Sequence, residues 1–307
     1  MVDGALTFTW RTMSTDLLVG YRKGLALTLA GTIIASFEGL LVRLVGLDSW
    51  GVIFWRGLGL GLAMMAFILL TGGKIGLGRL GRPAWIAVVA YAVNVSFFIS
   101  AINTTTVANT LVIASAAPLF AAALSWLFLR ERPSRETGVA VIVVLIGLAV
   151  IFSGSLSTAR IHGDGFALGY AVSLAAYFVA LQRCAEREVP SIVALGGFLS
   201  AIVAWPLASE LAIPADDLWV VALLAIVVVP CATLLLSWGP QLIPASHVTL
   251  IMLLEIALGP LWVWLVFSEV PAPATVLGGA LVLATIVTHS RLMARKSRGQ
   301  AARAAQG

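Results

Sequence analysis

"WLFLRERPS", Trp126 to Ser134, and "WLVFSEVPA", Trp264 to Ala272, decide how this chain is read. The two stretches hold Trp, Leu, Glu and Pro at one spacing and stand 138 residues apart. The first carries Arg130 and Arg132 and is followed by Arg135, where the second places Ser268, Val270 and Pro273. A unit that keeps its apolar skeleton and sheds its cations is expected where one sequence crosses a membrane twice, in opposite senses, because Lys and Arg are held on the cytoplasmic side.

Composition agrees with a membrane setting. Apolar residues make up 60% of the 307-residue chain, charged residues only 11%, and the mean hydropathy is +1.03. Soluble domains run near a quarter charged. The two cysteines, Cys184 and Cys231, each stand alone in an apolar run, which excludes a disulfide framework or a thiolate metal site. The pI near 9.7 does not indicate a nucleic-acid partner, because the basic residues fill short gaps between apolar runs and form no soluble basic face. The first 23 residues carry Asp3, Arg11, Asp16, Arg22 and Lys23 without an apolar core, so no cleaved signal peptide is expected.

A hydrocarbon layer roughly 30 Å thick takes about 20 residues at 1.5 Å each. Ten segments fit, near 24–45, 49–71, 83–102, 105–129, 134–154, 163–184, 190–211, 216–238, 243–267 and 272–293. A β-barrel would show alternating segments of about ten residues instead. With the N-terminus inside, the cytoplasmic side collects sixteen cations: Arg11, Arg22 and Lys23; Lys74, Arg79 and Arg82; Arg130, Arg132 and Arg135; Arg183 and Arg187; and Arg291, Arg295, Lys296, Arg298 and Arg303. The outer loops hold two, Arg43 and Arg160. That asymmetry places both ends in the cytoplasm and supports the count of spans. Trp50, Trp85, Trp126, Trp219, Trp238 and Trp264 fall near segment ends, where amphipathic rings settle at headgroup level.

The opening pair closes the fourth and the ninth segment, so the repeat unit is five helices, an odd number that inverts its second copy. The first helix of each half repeats as well. "GLALTLAGTIIASFEGLL" from Gly24 and "GFALGYAVSLAAYFVALQ" from Gly165 share Gly, Ala, Leu, Ala, Ala, Phe and Leu in register. The expected fold is therefore an all-α integral membrane protein of ten transmembrane helices, arranged as two inverted five-helix repeats around a central cavity. Its parts are a cytoplasmic tail (1–23), the first repeat (24–155), the second, inverted repeat (163–293) and a basic cytoplasmic tail (294–307). Inverted repeats are a signature of secondary transporters, whose site lies near the midplane between the halves.

On "SAAPLFAAALSWLFLRERPS" with Ala140 and Gly147, "LLEIALGPLWVWLVFSEVPA" with Gly278, and "VRLVGLDSWGVIFWRGL" with Arg56, the chain resembles the drug/metabolite transporter superfamily, in particular its EamA-type members. The resemblance runs from about Gly24 to His289. It departs at Ala140, where such proteins often have Gly, and at Ile256, where the second copy often has Pro as at Pro118. It implies a basket of helices around a cavity lined mainly by helices one, three, four, six, eight and nine, and export of amino acids or related small metabolites across a bacterial-type inner membrane.

Charge within a span costs roughly 2.5–3.5 kcal/mol per residue on insertion scales, so it marks candidate sites. Three such residues stand out: Glu38, Arg56 and Glu255. Glu38 and Arg56 lie at similar depth on consecutive helices and are expected to form an intramembrane ion pair, either tying helices one and two together or serving the outer mouth of the cavity. Glu255 lies midway along helix nine without a nearby cation in sequence. It suits a proton relay or a partner for a substrate ammonium, against the plainer reading of a neutral acid bonded to a backbone carbonyl. His247, Ile251 and Glu255 follow at i, i+4 and i+8, which places His247 and Glu255 on one face about 12 Å apart if the helix is continuous. His247 by itself reads as a polar residue near a cytoplasmic helix end. Tyr91, Asn94 and Phe98 share a face of helix three, as Tyr170, Ser173 and Tyr177 share one of helix six. These faces, with Thr233 and Ser237 on helix eight, offer stacking and hydrogen bonds to a substrate or to neighbouring helices. "GLGLG" from Gly57 suits close helix packing, and Pro118, Pro206, Pro230 and Pro260 are expected to bend helices and free carbonyls.

An embedded enzyme would need a nucleophile and base, or clustered metal ligands, at one depth, and three scattered histidines supply neither. A lone carboxylate makes a poor channel filter. "GGKIG" at Gly72 lacks the spacing of a nucleotide-binding loop. Transport therefore leads, exporters of other metabolites or cationic drugs standing beside amino-acid export. The expected partners are a small-molecule substrate and the lipid bilayer, a monomer is compatible with two fused halves, and no cofactor or metal is expected. Cysteines placed at Arg132 and Val270 are expected to react with an impermeant thiol reagent from opposite faces of the membrane, and labelling from one face would refute the inverted threading.

Overall fold

A computed structural model describes residues 20–72, 80–129 and 158–268 apart from 244 and 253, with scattered residues of the expected fifth and tenth spans. The described residues form helices and no strand, the arrangement in which every backbone polar group can be satisfied inside lipid. Among the described residues seven helices are long and apolar enough to cross a membrane, from Gly20–Leu44 to Ala215–Leu242. The expected fifth and tenth spans lie largely outside the described residues.

In chain order the helices are α1 (20–35), α2 (Glu38–Leu44), α3 (Ser49–Leu70), α4 (Arg82–Thr104), α5 (Val107–Ala114), α6 (Ala117–Leu129), α7 (Thr158–Leu181), α8 (Val189–Ala204), α9 (Leu218–Ala222), α10 (Val229–Leu242), α11 (Ala245–Ile251) and α12 (Leu254–Phe267). Local chemistry sets their ends. The Asp48 carboxylate accepts from Gly51 N at the start of α3, the Thr106 hydroxyl accepts from Asn109 N at the start of α5, and Pro83 opens α4. Trp85, Trp126, Trp205, Trp219 and Trp264 are all exposed, among many exposed Leu, Ile and Val that only lipid would solvate well.

Three spans are broken, each at the molecule's centre. The first changes from α1 to α2 at Ser36–Phe37, where Thr28, Thr32 and Ser36 turn their hydroxyls onto carbonyls of their own helix, a habit that bends helices. The fourth breaks at Ser115–Ala116, ahead of Pro118, which has no N–H to return to Ala114. The ninth breaks at Met252, where the Glu255 amide returns three residues, to Met252 O, in place of four. Helix nine is thus discontinuous, and the continuous face expected to carry His247, Ile251 and Glu255 does not form. Glu255 opens the half-helix α12. The eighth span widens to π-helix over Leu223–Val228 just before Pro230, a position where the ordinary ladder would lose a donor.

Helices pack antiparallel across the two halves. On α3 and α8 the backbones meet: a Cβ on Gly57 would lie 2.6 Å from Gly197 O, and Trp55 Nε1 donates to Leu211 O at 2.9 Å beyond the end of α8. On α4 and α7, Asn94 reaches Tyr170 O while Thr105, past the end of α4, reaches Asp164 near the start of α7. On α1 and α10, Gly24 sits on Leu242 and Ile243 while Gly31 sits on Leu235 and Leu236. Arg43 at the end of α2 donates to Thr105 O, so the first span finishes at the end of the bundle where α7 begins. Gly57→Val drives a branched side chain into Gly197 and Ser200. It is expected to cost about 1–3 kcal/mol, read as a lower melting temperature in detergent, whereas Leu62→Val on the exposed face of α3 is expected to leave it unchanged.

Candidate functional site

The breaks and the cross-half contacts surround a central cavity. Its charged lining residues are Glu38 on α2, Arg56 on α3 and Glu255 on α12, two acids against one base. Tyr91, Asn94 and Phe98 of α4, Tyr170 and Tyr177 of α7, and Thr233 and Ser237 of α10 complete the polar and aromatic wall. Spans one, three, four, six, eight and nine thus all contribute, with the second adding Arg56. The space is about 60 Å³. A water needs roughly 10–15 Å³ by the same measure, so the cavity takes a few waters.

Glu38 and Arg56 form the ion pair read from their depth. Arg56 Nε donates to Glu38 Oε1 at 2.5 Å, and both residues are more than nine-tenths buried. Arg56 Nη1 donates to Tyr91 Oη at 3.2 Å, and that hydroxyl lies 3.5 Å from Thr233 Oγ1. A ring contact at 5.4 Å joins Tyr91 to Tyr177, whose hydroxyl meets Ser237 Oγ at 2.6 Å, while Ser237 donates to Thr233 O. One polar chain therefore runs from α2 through α3, α4 and α10 to α7.

Asn94 donates to Tyr170 O and contacts Ser173 Oγ at 3.5 Å, and Phe98 lies against Tyr170 with ring centroids 4.8 Å apart. Ser173 itself does not line the cavity. Its hydroxyl donates to Gly169 O, and it is buried in the α4–α7 seam, because its place in the turn points it at α4. His247 belongs to α11, but its side chain lies outside the described residues. Glu255 is 8% exposed and faces the cavity, and its carboxylate takes part in no hydrogen bond among the described residues.

At each end of the bundle a glycine sets a close helix contact. At one end a Cβ on Gly163 would lie 2.7 Å from Thr105 Cβ; at the other a Cβ on Gly24 would lie 2.8 Å from Leu242 Cβ. The first closure is polar: Thr105 Oγ1 and Asn109 Nδ2 both donate to Asp164 Oδ1 at 3.1 Å. Asp164 is wholly buried, a fourth charged residue inside the bundle beside the three read from sequence. Its place at the head of a span reads as headgroup level, and only the α4–α5 corner folding over it removes it from water. The flanking glycines in "HGDG" are the signal that could have shown it. Opposite, Gln241 Nε2 donates to Leu181 O at 2.5 Å.

Removing half of a buried pair strands the other charge. Glu38→Gln is expected to cost about 3–5 kcal/mol, and Glu38→Gln with Arg56→Gln less than the single change, as read by thermal unfolding of the three variants.

Comparison with known proteins agrees with this arrangement. The EamA-like transporter family model matches residues 22–153 and again 161–291. An uncharacterized transporter, YwfM of Bacillus subtilis, is 27% identical over 265 residues, covering 78% of this chain and 88% of that protein. The pseudopaline exporter CntI of Pseudomonas aeruginosa is 26% identical over 285 residues, covering 91% and 99%. A chain of known crystal structure shares the fold with a TM-score of 0.65 at 18% identity, over 89% of this chain and 98% of its own. The family model matches twice and spans most of the sequence, so this chain is a member of the EamA-like transporter family, a multi-pass membrane transporter of the drug/metabolite superfamily.

Proposed function

We propose that the protein exports amino acids, neutral and aromatic ones among them, or closely related amine-bearing metabolites, by alternating access between two inverted five-helix repeats in a bacterial inner membrane, with both termini cytoplasmic. One observation carries the substrate class. The cavity holds two acids and one base, and the base is already engaged by Glu38 and Tyr91, which leaves Glu255 as the carboxylate available to a substrate cation. Aromatic rings from α4 and α7 suit an ammonium as well as an aromatic side chain. That CntI is an exporter supports the direction of transport.

The paired glycine closures support alternating access. Gly24 and Gly163 stand near the starts of the first helices of the two halves, and each makes a close helix contact at one end of the bundle. Opening either seal while the other stays shut would admit substrate from one side at a time. Glu38, Arg56 and Tyr91 position the wall; Glu255, with Tyr177, Thr233 and Ser237, meets the substrate.

A carrier of cationic drugs is the second reading, favoured by the same excess of acid. Thermal stabilisation of the purified protein by amino acids, quaternary amines and nucleosides, followed by counterflow in proteoliposomes, separates the two. Amino acids are expected to stabilise the protein and to accelerate their own exchange, and des-amino analogues are expected to do neither. Glu255→Gln is expected to weaken binding by tenfold or more, about 1.4 kcal/mol. Unchanged affinity in that variant would remove Glu255 from the site.

A further inference from the structure

Behind the central cavity, where the broken fourth and ninth spans face each other, lies a second, smaller chamber of about 20 Å³. Glu255 lines both spaces, and Ala114, Ser115, Thr249 and Tyr170 line the smaller one with Met252. We propose that this chamber binds a sodium-sized monovalent cation, and that Glu255 is the ligand it shares with the substrate's ammonium group. The site stands on its own geometry; the exchange of cation for substrate rests on the export reading above.

Four features of the chamber point to a cation. Pro118 has no N–H, and the Leu119 amide returns to Ala116 O, so the carbonyls of Ala114 and Ser115 receive no backbone donor from the following turn among the described residues. Unwound carbonyls at the C-terminal end of a half-helix are good ligands for a small cation. The two hydroxyls have spent their protons: Ser115 Oγ donates to Val112 O at 2.5 Å and Thr249 Oγ1 to Ala245 O at 3.1 Å. A hydroxyl that donates its proton in this way keeps acceptor lone pairs. The Glu255 carboxylate, more than nine-tenths buried and without a hydrogen bond among the described residues, supplies the negative charge. No basic side chain lines the chamber, which would otherwise repel a cation.

Size sets the guest. Room for a single water-sized body, against the roughly 10–15 Å³ that one water needs, admits a dehydrated ion and excludes any organic substrate. The set of one carboxylate, two hydroxyls and two carbonyls is all oxygen, the preference of a hard cation. Because one carboxylate cannot neutralise two cations at once, an ion in the chamber and an ammonium in the cavity draw on the same charge. Occupancy of one weakens the other, and this is the condition for exchange.

The test uses the full-length protein without substrate. Its thermal stability is titrated with NaCl, LiCl, KCl and choline chloride at constant ionic strength, with the substrate arm run separately. Sodium is expected to raise the melting temperature by several degrees with saturation, choline to have no effect, and Glu255→Gln to abolish the response. Thr249→Val and Ser115→Ala, which keep the helix breaks, are expected to raise the half-saturating sodium concentration several-fold. They keep the proposal open to test should Glu255→Gln not fold. A melting temperature indifferent to all three alkali ions, or one that moves only with pH, would overturn it. If sodium fails while Glu255→Gln still abolishes amino-acid binding, the cation site falls and the export reading stands. If sodium binds and no amine does, the substrate reading alone falls.

Discussion

Arg56 is committed before any substrate arrives. Its guanidinium holds Glu38 on α2 and Tyr91 on α4, and through Tyr91 the contact passes to Thr233, Ser237 and Tyr177. A charge inside a membrane protein must be paired or be costly, so this network satisfies the cavity's arginine and ties five spans together. It also defines what remains. Of the charged groups at the centre, Glu255 is the one without a cationic partner, and the chemistry of the site follows from that imbalance.

The second organising constraint is the backbone. Within lipid each N–H and C=O must find a partner, so a break in a helix is tolerated only where protein or a water-lined space receives the freed groups. The breaks at Ser36–Phe37, Ser115–Ala116 and Met252 all open toward the interior, beside Glu38, Pro118 and Glu255. Around them the helices pack through glycine. Gly57 against Gly197 sets a backbone-to-backbone crossing of α3 and α8, while Gly24 and Gly163 close the two ends. Such contacts bring backbones together with little side chain between them.

The two closures differ in kind. Near the start of α7, Asp164 is held by Thr105 and Asn109, a polar latch with a buried carboxylate; at the opposite end Gly24 rests on Leu242 and Ile243, an apolar seal. Matching positions in the two halves thus carry different chemistry: Thr105 corresponds to Ile243 and Asn109 to His247 at the 138-residue offset. A repeat that has diverged in this way keeps its geometry while its two ends are held by different forces.

Much of this was readable in the residues alone. The membrane setting, the two-copy organisation of the chain and the pairing of Glu38 with Arg56 follow from hydropathy, residue spacing and helix rise, which are local quantities. Tertiary structure decided the rest. That Ser173 turns into the α4–α7 seam, that the corner after α4 buries Asp164, and that helix nine parts between His247 and Glu255 each depend on which neighbour arrives at a given face. Ile256 illustrates the limit. No proline marks a break there, yet the ladder slips at Met252 just as it does before Pro118. Periodicity reports the average turn of a helix, but whether one particular turn holds is settled by the packing and hydrogen bonds that surround it.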